Sequence, residues 1–145
     1  MKLDDHIHSQ IVKFAEQGNN ACDAGDFDKA VELFQKGLDL LPVPIEIWDA
    51  ATWLLAGIGD AYFLSGKMES ALPPLLGAMR CPRAVGNSFL HLRLGQVQFE
   101  LGNLIRAADE LTRAYMGEGT KIFEGEDSKY FEFLKTKIKS PPEGW

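Results

Sequence analysis

One spacing of glycine, alanine and large apolar residues recurs three times along the chain, and it constrains the fold more than any other feature. Each copy starts at a glycine, and its landmark residues follow at steps of +3, +7, +12, +16 and +19. The first copy contains Gly18, Ala21, Gly25, Ala30, Phe34 and Gly37; the second contains Gly59, Tyr62, Gly66, Ala71, Leu75 and Ala78; the third contains Gly95, Gln98, Gly102, Ala107, Leu111 and Ala114. Such a repetition predicts one structural unit built three times.

The landmarks predict that each unit is a helix–turn–helix. Small residues at the first and +12 landmarks let two helices approach closely, and the large apolar residue at +16 fills the gap between them. The glycine at +7 is typical of the position just past a helix C-terminus, where the chain turns. A helix pair of this kind cannot bury its apolar face alone, so the units are expected to stack on one another.

This landmark set resembles the tetratricopeptide repeat (TPR), whose pattern is W-x2-L-G-x2-Y, then A-x3-F and P. The stretch LAGIGDAYFLSGKMESALPPLLGAM resembles it most, and the likeness covers roughly residues 5–117. The resemblance implies an all-α, right-handed helical repeat, with units at about 5–42, 44–81 and 82–117 in a single domain of residues 1–145. The GDAYFLSGKM stretch is not a phosphate-binding loop, because Met68 follows Gly66-Lys67 and Ala61 stands where the loop needs its first glycine.

The spacing between units departs from the family pattern. Successive first glycines are 41 and 36 residues apart, against about 34 in the family. We expect the extra residues after the first unit to extend the next helix, which would start near Pro44. Pro73-Pro74 falls within a predicted helix and should kink it or delay its start.

After Met116 the landmarks stop. A polar, glycine-containing loop is followed by a predicted capping helix over about residues 127–139, with an apolar stripe of Tyr130, Phe133, Leu134 and Ile138. A repeat array needs its last apolar face covered, and this helix is suited to that position. Residues 140–145 are predicted to be a non-helical tail that carries Trp145.

The charge, the apolar segments and the cysteines of the chain argue against several classes of protein. The net charge of −6 argues against a nucleic-acid binder. No apolar segment is long enough to span a bilayer. The N-terminus lacks the basic and apolar regions of a signal peptide, so we expect a cytoplasmic protein. Cys22 and Cys81 stand in no paired spacing and are expected to be thiols in a reducing compartment.

Catalytic and metal-binding patterns are weak, so we expect no enzyme, cofactor or metal site. His6 and His8 are two residues apart and do not share a helix face. His91 occupies a packing position in the third unit, which favours a structural role over that of a general base. The acidic cluster of Glu118, Glu124, Glu126 and Asp127 lacks the ligand spacing of a calcium loop and is predicted to be solvated.

The TPR resemblance implies that the first helix of each unit lines a concave groove. The positions six before, three before, one after and four after the first glycine are Val12, Ala15, Asn19 and Cys22; Trp53, Ala56, Asp60 and Phe63; and Phe89, Leu92, Gln96 and Phe99. From these, with the flanking Arg93, we predict the partner-binding residues Asn19, Trp53, Asp60, Phe63, Phe89, Arg93, Gln96 and Phe99. The alternative is that the aromatic rings are buried as core or covered by the C-terminal tail.

Some TPR domains grip the C-terminal carboxylate of chaperones with a Lys/Asn/Arg clamp. Asn19 and Arg93 occupy clamp-like positions, but Ala15, Gly57 and Phe89 stand at the others and cannot pair a carboxylate. This departure argues against a chaperone-tail receptor.

The sequence therefore predicts a non-enzymatic protein–protein interaction module. The most specific hypothesis is a bacterial immunity protein that neutralises a cognate toxin, because small free-standing TPR proteins with a capping helix resemble that class. The alternative is a general adaptor or co-chaperone, such as a type III secretion-like or assembly chaperone. A third hypothesis, from another class, is an enzyme that uses the acidic C-terminal loop. The oligomeric state is left open.

Overall fold

The computed structural model describes residues 2–145, which form seven α-helices and no β-strand. The helices are α1 (Asp5–Asp23), α2 (Phe27–Asp39), α3 (Asp49–Leu64), α4 (Met68–Ala78), α5 (Ser88–Glu100), α6 (Leu104–Glu118) and α7 (Ser128–Lys135). Two short 3-10 helices cover Ile45–Ile47 and Gly119–Phe123. The predicted all-α class and the helix pairing α1–α2, α3–α4 and α5–α6 are confirmed.

The three predicted turns have the same backbone geometry. The glycines at +7, Gly25, Gly66 and Gly102, have φ angles of 79°, 80° and 83°, which residues with a Cβ atom adopt at a cost. In the first turn the Gly25 N–H donates to the Cys22 carbonyl and the Asp26 N–H donates to the Ala21 carbonyl. The other two turns repeat this bonding, which is the Schellman ending of a helix.

The landmark glycines and the large +16 residues contact each other inside every pair. A Cβ atom placed on Gly18 would lie 2.6 Å from Cε1 of Phe34, and one on Gly95 would lie 2.8 Å from Cδ2 of Leu111. These distances are well inside van der Waals contact. The +16 side chain therefore occupies the space that the missing Cβ leaves, as the spacing predicts.

The chain divides into two compact bodies. The N-terminal body, Met1–Ala84, contains α1 to α4, with α1 on α2, α2 on α3 and α3 on α4. Its core includes the fully buried side chains of Ile11, Ala30 and Leu54. The Thr52 hydroxyl donates to the Pro82 carbonyl at 2.7 Å and ties the end of this body to α3.

The C-terminal body, Val85–Trp145, contains α5, α6 and α7. Here α5 packs on α6, and α7 packs on α6; Leu134 of α7 is fully buried. The tail returns to the body, where the Trp145 ring lies 5.6 Å from Tyr115 and 5.4 Å from Phe131, centroid to centroid. A helix is present where the sequence predicts a C-terminal capping helix, and residues 140–145 follow it outside any helix. The prediction that all three pairs make a single domain stays a prediction.

The start of α3 corrects one expectation. The helix does not begin near Pro44, because the 3-10 turn Ile45–Ile47 intervenes and Trp48 is extended, with φ −102° and ψ 132°. The reason is the Trp48 side chain, which is buried and whose indole N–H donates to the Pro42 carbonyl at 2.7 Å. Burying this ring requires the chain to bend before the helix.

Two further helix boundaries differ from the sequence prediction. Helix α4 runs from Met68 to Ala78 with both Pro73 and Pro74 inside it, so the helix has no late start. The carbonyls that lose their donors belong to Glu69 and Ser70, which are exposed, so water can satisfy them. At the other end of the chain, α7 stops at Lys135 and does not reach residue 139.

Candidate binding surfaces

The first-helix surface of the N-terminal body is formed by α1 and α3, which contact each other. Asn19 is exposed and Asp60 and Phe63 are half-buried on these helices. Burial, followed by the negative charges of Asp60 and Asp23, raises the pKa of the Cys22 thiol to about 11. The predicted α1 and α3 positions therefore come together, and Cys22 is protonated at neutral pH.

Trp53 marks the most accessible part of this surface. Its side chain is 39% exposed, and it borders a cleft of about 480 Å³ between the start of α1 and the start of α3. Leu3, Ile47 and Trp48 supply the apolar part of the cleft wall. Its polar rim includes Asp5, 3.6 Å from Lys2 Nζ. A mixture of apolar, aromatic and charged side chains is typical of a surface that binds another polypeptide.

The equivalent position in the third pair is also an exposed aromatic residue. Phe89, like Trp53, stands six residues before its landmark glycine, and its side chain is 40% exposed. The Arg93 guanidinium lies 5.0 Å from the centroid of the Phe89 ring. The same register therefore places an accessible aromatic side chain on the first helix of two different pairs.

The rest of the α5 surface is covered by a later segment of the same chain. Arg93 is buried, and its Nη1 donates to Gln96 Oε1 at 2.7 Å and to Glu126 Oε1 at 2.9 Å. Gln96 Nε2 donates to the same Glu126 oxygen at 2.7 Å. One carboxylate from the loop before α7 thus binds both predicted polar residues of α5.

Aromatic contacts continue this cover along α5. The Phe99 ring meets Tyr130 at 5.5 Å and Phe133 at 5.1 Å between centroids, both edge to face. The Tyr130 hydroxyl donates to Glu100 Oε1 at 2.9 Å. Burial and this hydrogen bond raise the pKa of the Tyr130 hydroxyl above its usual range. We call residues 126–133, which make these contacts, the internal segment.

Glu126 is the residue that the sequence prediction misplaced. The prediction of a solvated cluster holds for Glu118, Glu124 and Asp127, which are exposed. The Glu126 side chain, in contrast, is only 22% exposed. The physical reason is Arg93, because a buried guanidinium needs a carboxylate partner. An arginine at a first-helix position is the sequence signal that predicts such a partner. It does not identify which carboxylate in the chain is that partner.

The histidines show no catalytic arrangement. His91 is buried, with Nδ1 2.7 Å from Glu110 Oε2 and Nε2 accepting from the Gly86 N–H. Because that N–H can only donate, Nε2 carries no proton and Nδ1 donates to Glu110, as expected of a packing histidine. His6 and His8 are exposed in the first turn of α1.

Metal-binding clusters and membrane-spanning helices are two other features that a chain of this kind could carry. Within residues 2–145, no group of three or more His, Cys, Asp or Glu side chains is placed to hold a metal ion. None of the helices in that range is both long enough and apolar enough to cross a bilayer.

The fold is that of solved TPR domains. The Arabidopsis OM64 TPR domain is 18% identical with a TM-score of 0.71, covering 91% of this chain and 99% of that chain. The second TPR domain of human RPAP3, solved in complex with the HSP70 peptide SGPTIEEVD, is 21% identical with a TM-score of 0.67, covering 92% and 99%. PcrH in complex with the chaperone binding region of PopB is 16% identical with a TM-score of 0.65, covering 92% and 94%. No protein-family model and no curated protein sequence matches the chain.

Proposed function

We propose that this chain is a non-enzymatic module that binds a segment of a partner protein through the first-helix surface of its N-terminal body. The observation that carries the proposal is the exposed Trp53 ring beside a cleft of about 480 Å³. Tryptophan is enriched among the residues that dominate binding energy, and an adjoining pocket lets a partner side chain desolvate it. Two solved structures with this fold were determined with a bound polypeptide, which supports the proposal.

The cleft fits an apolar or aromatic side chain more closely than a charged one. Leu3, Ile47 and Trp53 offer apolar area, whereas the charges at the rim are partly neutralised by ion pairs. Asp49 Oδ2, for example, lies 3.6 Å from Arg83 Nη2. We therefore expect the partner to insert an apolar anchor and to place polar groups at the rim.

A displayed library of random dodecapeptides tests this proposal while the natural partner is still unidentified. Peptides selected on the wild-type protein should lose about 2 kcal/mol of binding free energy, or about thirtyfold in affinity, on the Trp53→Ala variant. Ile105→Ala is the matched control, because Ile105 is 90% exposed and lies outside the surface. Selected peptides that bind Trp53→Ala as well as wild type would refute the assignment of this surface.

As the more specific form of the proposal, the partner is a toxin and the chain is its cytoplasmic immunity protein. The net charge of −6 supports this form, because an acidic protein associates faster with a basic partner, such as a nuclease. A toxin gene next to the encoding gene, and inhibition of that toxin by the purified chain, are the expected results. A general adaptor or co-chaperone would instead bind several partners, none of them inhibited.

A further inference from the structure

We call the part of α5 that carries Arg93, Gln96 and Phe99 the α5 surface. It differs from the first-helix surface of the N-terminal body because a later segment of the same chain already covers it. Its occupant, the internal segment, presents a carboxylate at Glu126 and aromatic rings four and seven residues later, at Tyr130 and Phe133. The carboxylate meets the cation of Arg93, and both rings meet Phe99. Charged and aromatic anchors at fixed spacing are how one polypeptide recognises another.

We infer that residues 126–133 are a displaceable internal ligand of the α5 surface. The structure thereby identifies the class of segment that this surface takes from a partner, namely a carboxylate followed at +4 and +7 by aromatic side chains. The inference adds a second surface to the proposed function and does not depend on the Trp53 cleft.

The polar contacts distinguish a ligand from an ordinary cap. Covering an apolar helix face requires only apolar side chains, such as the fully buried Leu134 of α7. The internal segment adds an ion pair between Glu126 and the buried guanidinium of Arg93. It also makes two contacts to Glu100 Oε1, to which the Tyr130 hydroxyl donates at 2.9 Å and near which Lys129 Nζ lies at 2.6 Å. Such hydrogen-bonded anchors contribute specificity to the recognition of one segment by another.

The segment lies on a short helix that follows two glycines. Helix α7 has only eight residues, and of these Tyr130 and Leu134 are buried. A helix this short is not stable in isolation, so it can unfold without disturbing a helix pair. Gly119 and Gly125 precede it with φ angles of 71° and 81°, a backbone conformation that glycine adopts without steric cost.

A ligand tethered to the same chain competes with any free ligand for the α5 surface. Attachment through a short linker gives it an effective concentration in the millimolar range, so a free competitor binds weakly until the tethered copy is weakened. The probe is the synthetic peptide EGEDSKYFEFLKTK, which corresponds to residues 124–137, carrying a fluorophore. Its binding to the full chain is followed by fluorescence anisotropy.

The expected result is an affinity at least tenfold higher for the double variant Glu126→Gln, Phe133→Ala than for wild type. Adding Phe99→Ala to that variant removes part of the receiving surface and should abolish the gain. Glu124→Gln is the matched control, since Glu124 is exposed beside the segment, and it should behave as wild type does. Equal, weak binding to wild type and to the folded double variant would overturn the inference.

If the double variant fails to fold, hydrogen exchange of the wild-type chain tests whether the internal segment is displaceable. The amides of α7 should exchange at least tenfold faster than those of α6, through an opening that leaves the α5–α6 pair intact. Exchange of both helices at one rate would show a permanent cap and overturn the inference. Neither measurement involves Trp53, so either proposal can fail while the other stands.

Discussion

Replacing Gly59 by alanine should destabilise the protein, although alanine is the better helix former. A Cβ atom at this position would lie 2.5 Å from Cδ2 of Leu75 and would also clash with Leu75 Cγ. Leu75 is fully buried, so its branch point has no solvent to move into. Overpacking of this kind costs about 1–3 kcal/mol, against a gain of up to about 1 kcal/mol in helix propensity. We expect a net loss of about 1–2 kcal/mol.

Gly77→Ala is the matched control for this substitution. Gly77 is also helical, but a Cβ atom there would be 3.5 Å from the nearest atom, Cδ1 of Leu55, which is ordinary contact. The control should therefore gain part of the propensity term, up to about 1 kcal/mol. Urea unfolding followed by circular dichroism should separate the two variants by about 2 kcal/mol.

A second background tests the cause. In a Leu75→Ala protein the obstructing side chain is gone, so adding Gly59→Ala should be neutral or stabilising. This reversal of sign is a coupling between contacting residues. If Gly59→Ala is as stable as Gly77→Ala, or costs the same with and without Leu75, the close-packing explanation of the landmark glycines is wrong.

Three single side chains give further predictions. Glu126→Gln should cost about 1–3 kcal/mol in urea unfolding, because it weakens charged hydrogen bonds to a buried partner, while Glu124→Gln should cost almost nothing; equal effects would contradict the ion-pair assignment. Leu134→Ala should lower the free energy of unfolding by about 2–5 kcal/mol, because it leaves a cavity at a buried position. A melting temperature unchanged from wild type would show that α7 contributes nothing to stability. In a Cys81→Ala protein the alkylation rate of Cys22 should keep rising until about pH 11, following its raised pKa; a plateau near pH 9 would contradict that shift. The thiol of the unfolded chain loses its proton first, at about pH 8.5, so the free energy of unfolding falls above that pH.

The repeating part of the fold could be predicted because its constraints act at single positions. A glycine at the close approach between two helices and a glycine at φ near +80° each admit almost no other residue. Their spacing therefore appears in the sequence, and it predicts the three pairs and their turns. The start of α3 could not be obtained in this way, because it depends on where the buried Trp48 ring finds the Pro42 carbonyl.

The candidate surfaces were only partly predictable for a related reason. Repeat register places Trp53, Phe89 and Phe99 on first helices, but it does not say what covers them. The cover comes from residues outside the repeats, and the partner of Arg93 is 33 residues away in the sequence. Local pattern carries no information about such a contact. A polar loop and a loop that supplies a carboxylate to a buried arginine look alike in sequence.

Register and exposure together indicate which predicted positions remain available to a partner. The position six before the landmark glycine is aromatic in the second and third pairs, and the two side chains, Trp53 and Phe89, are 39% and 40% exposed. The position four after that glycine holds Phe63 and Phe99, which are half-buried, and Phe99 packs against the internal segment. Exposing a large aromatic ring twice at one register costs hydrophobic free energy each time. Folding alone does not require that cost, so under the proposed function these two rings are the positions that we expect a partner to bury.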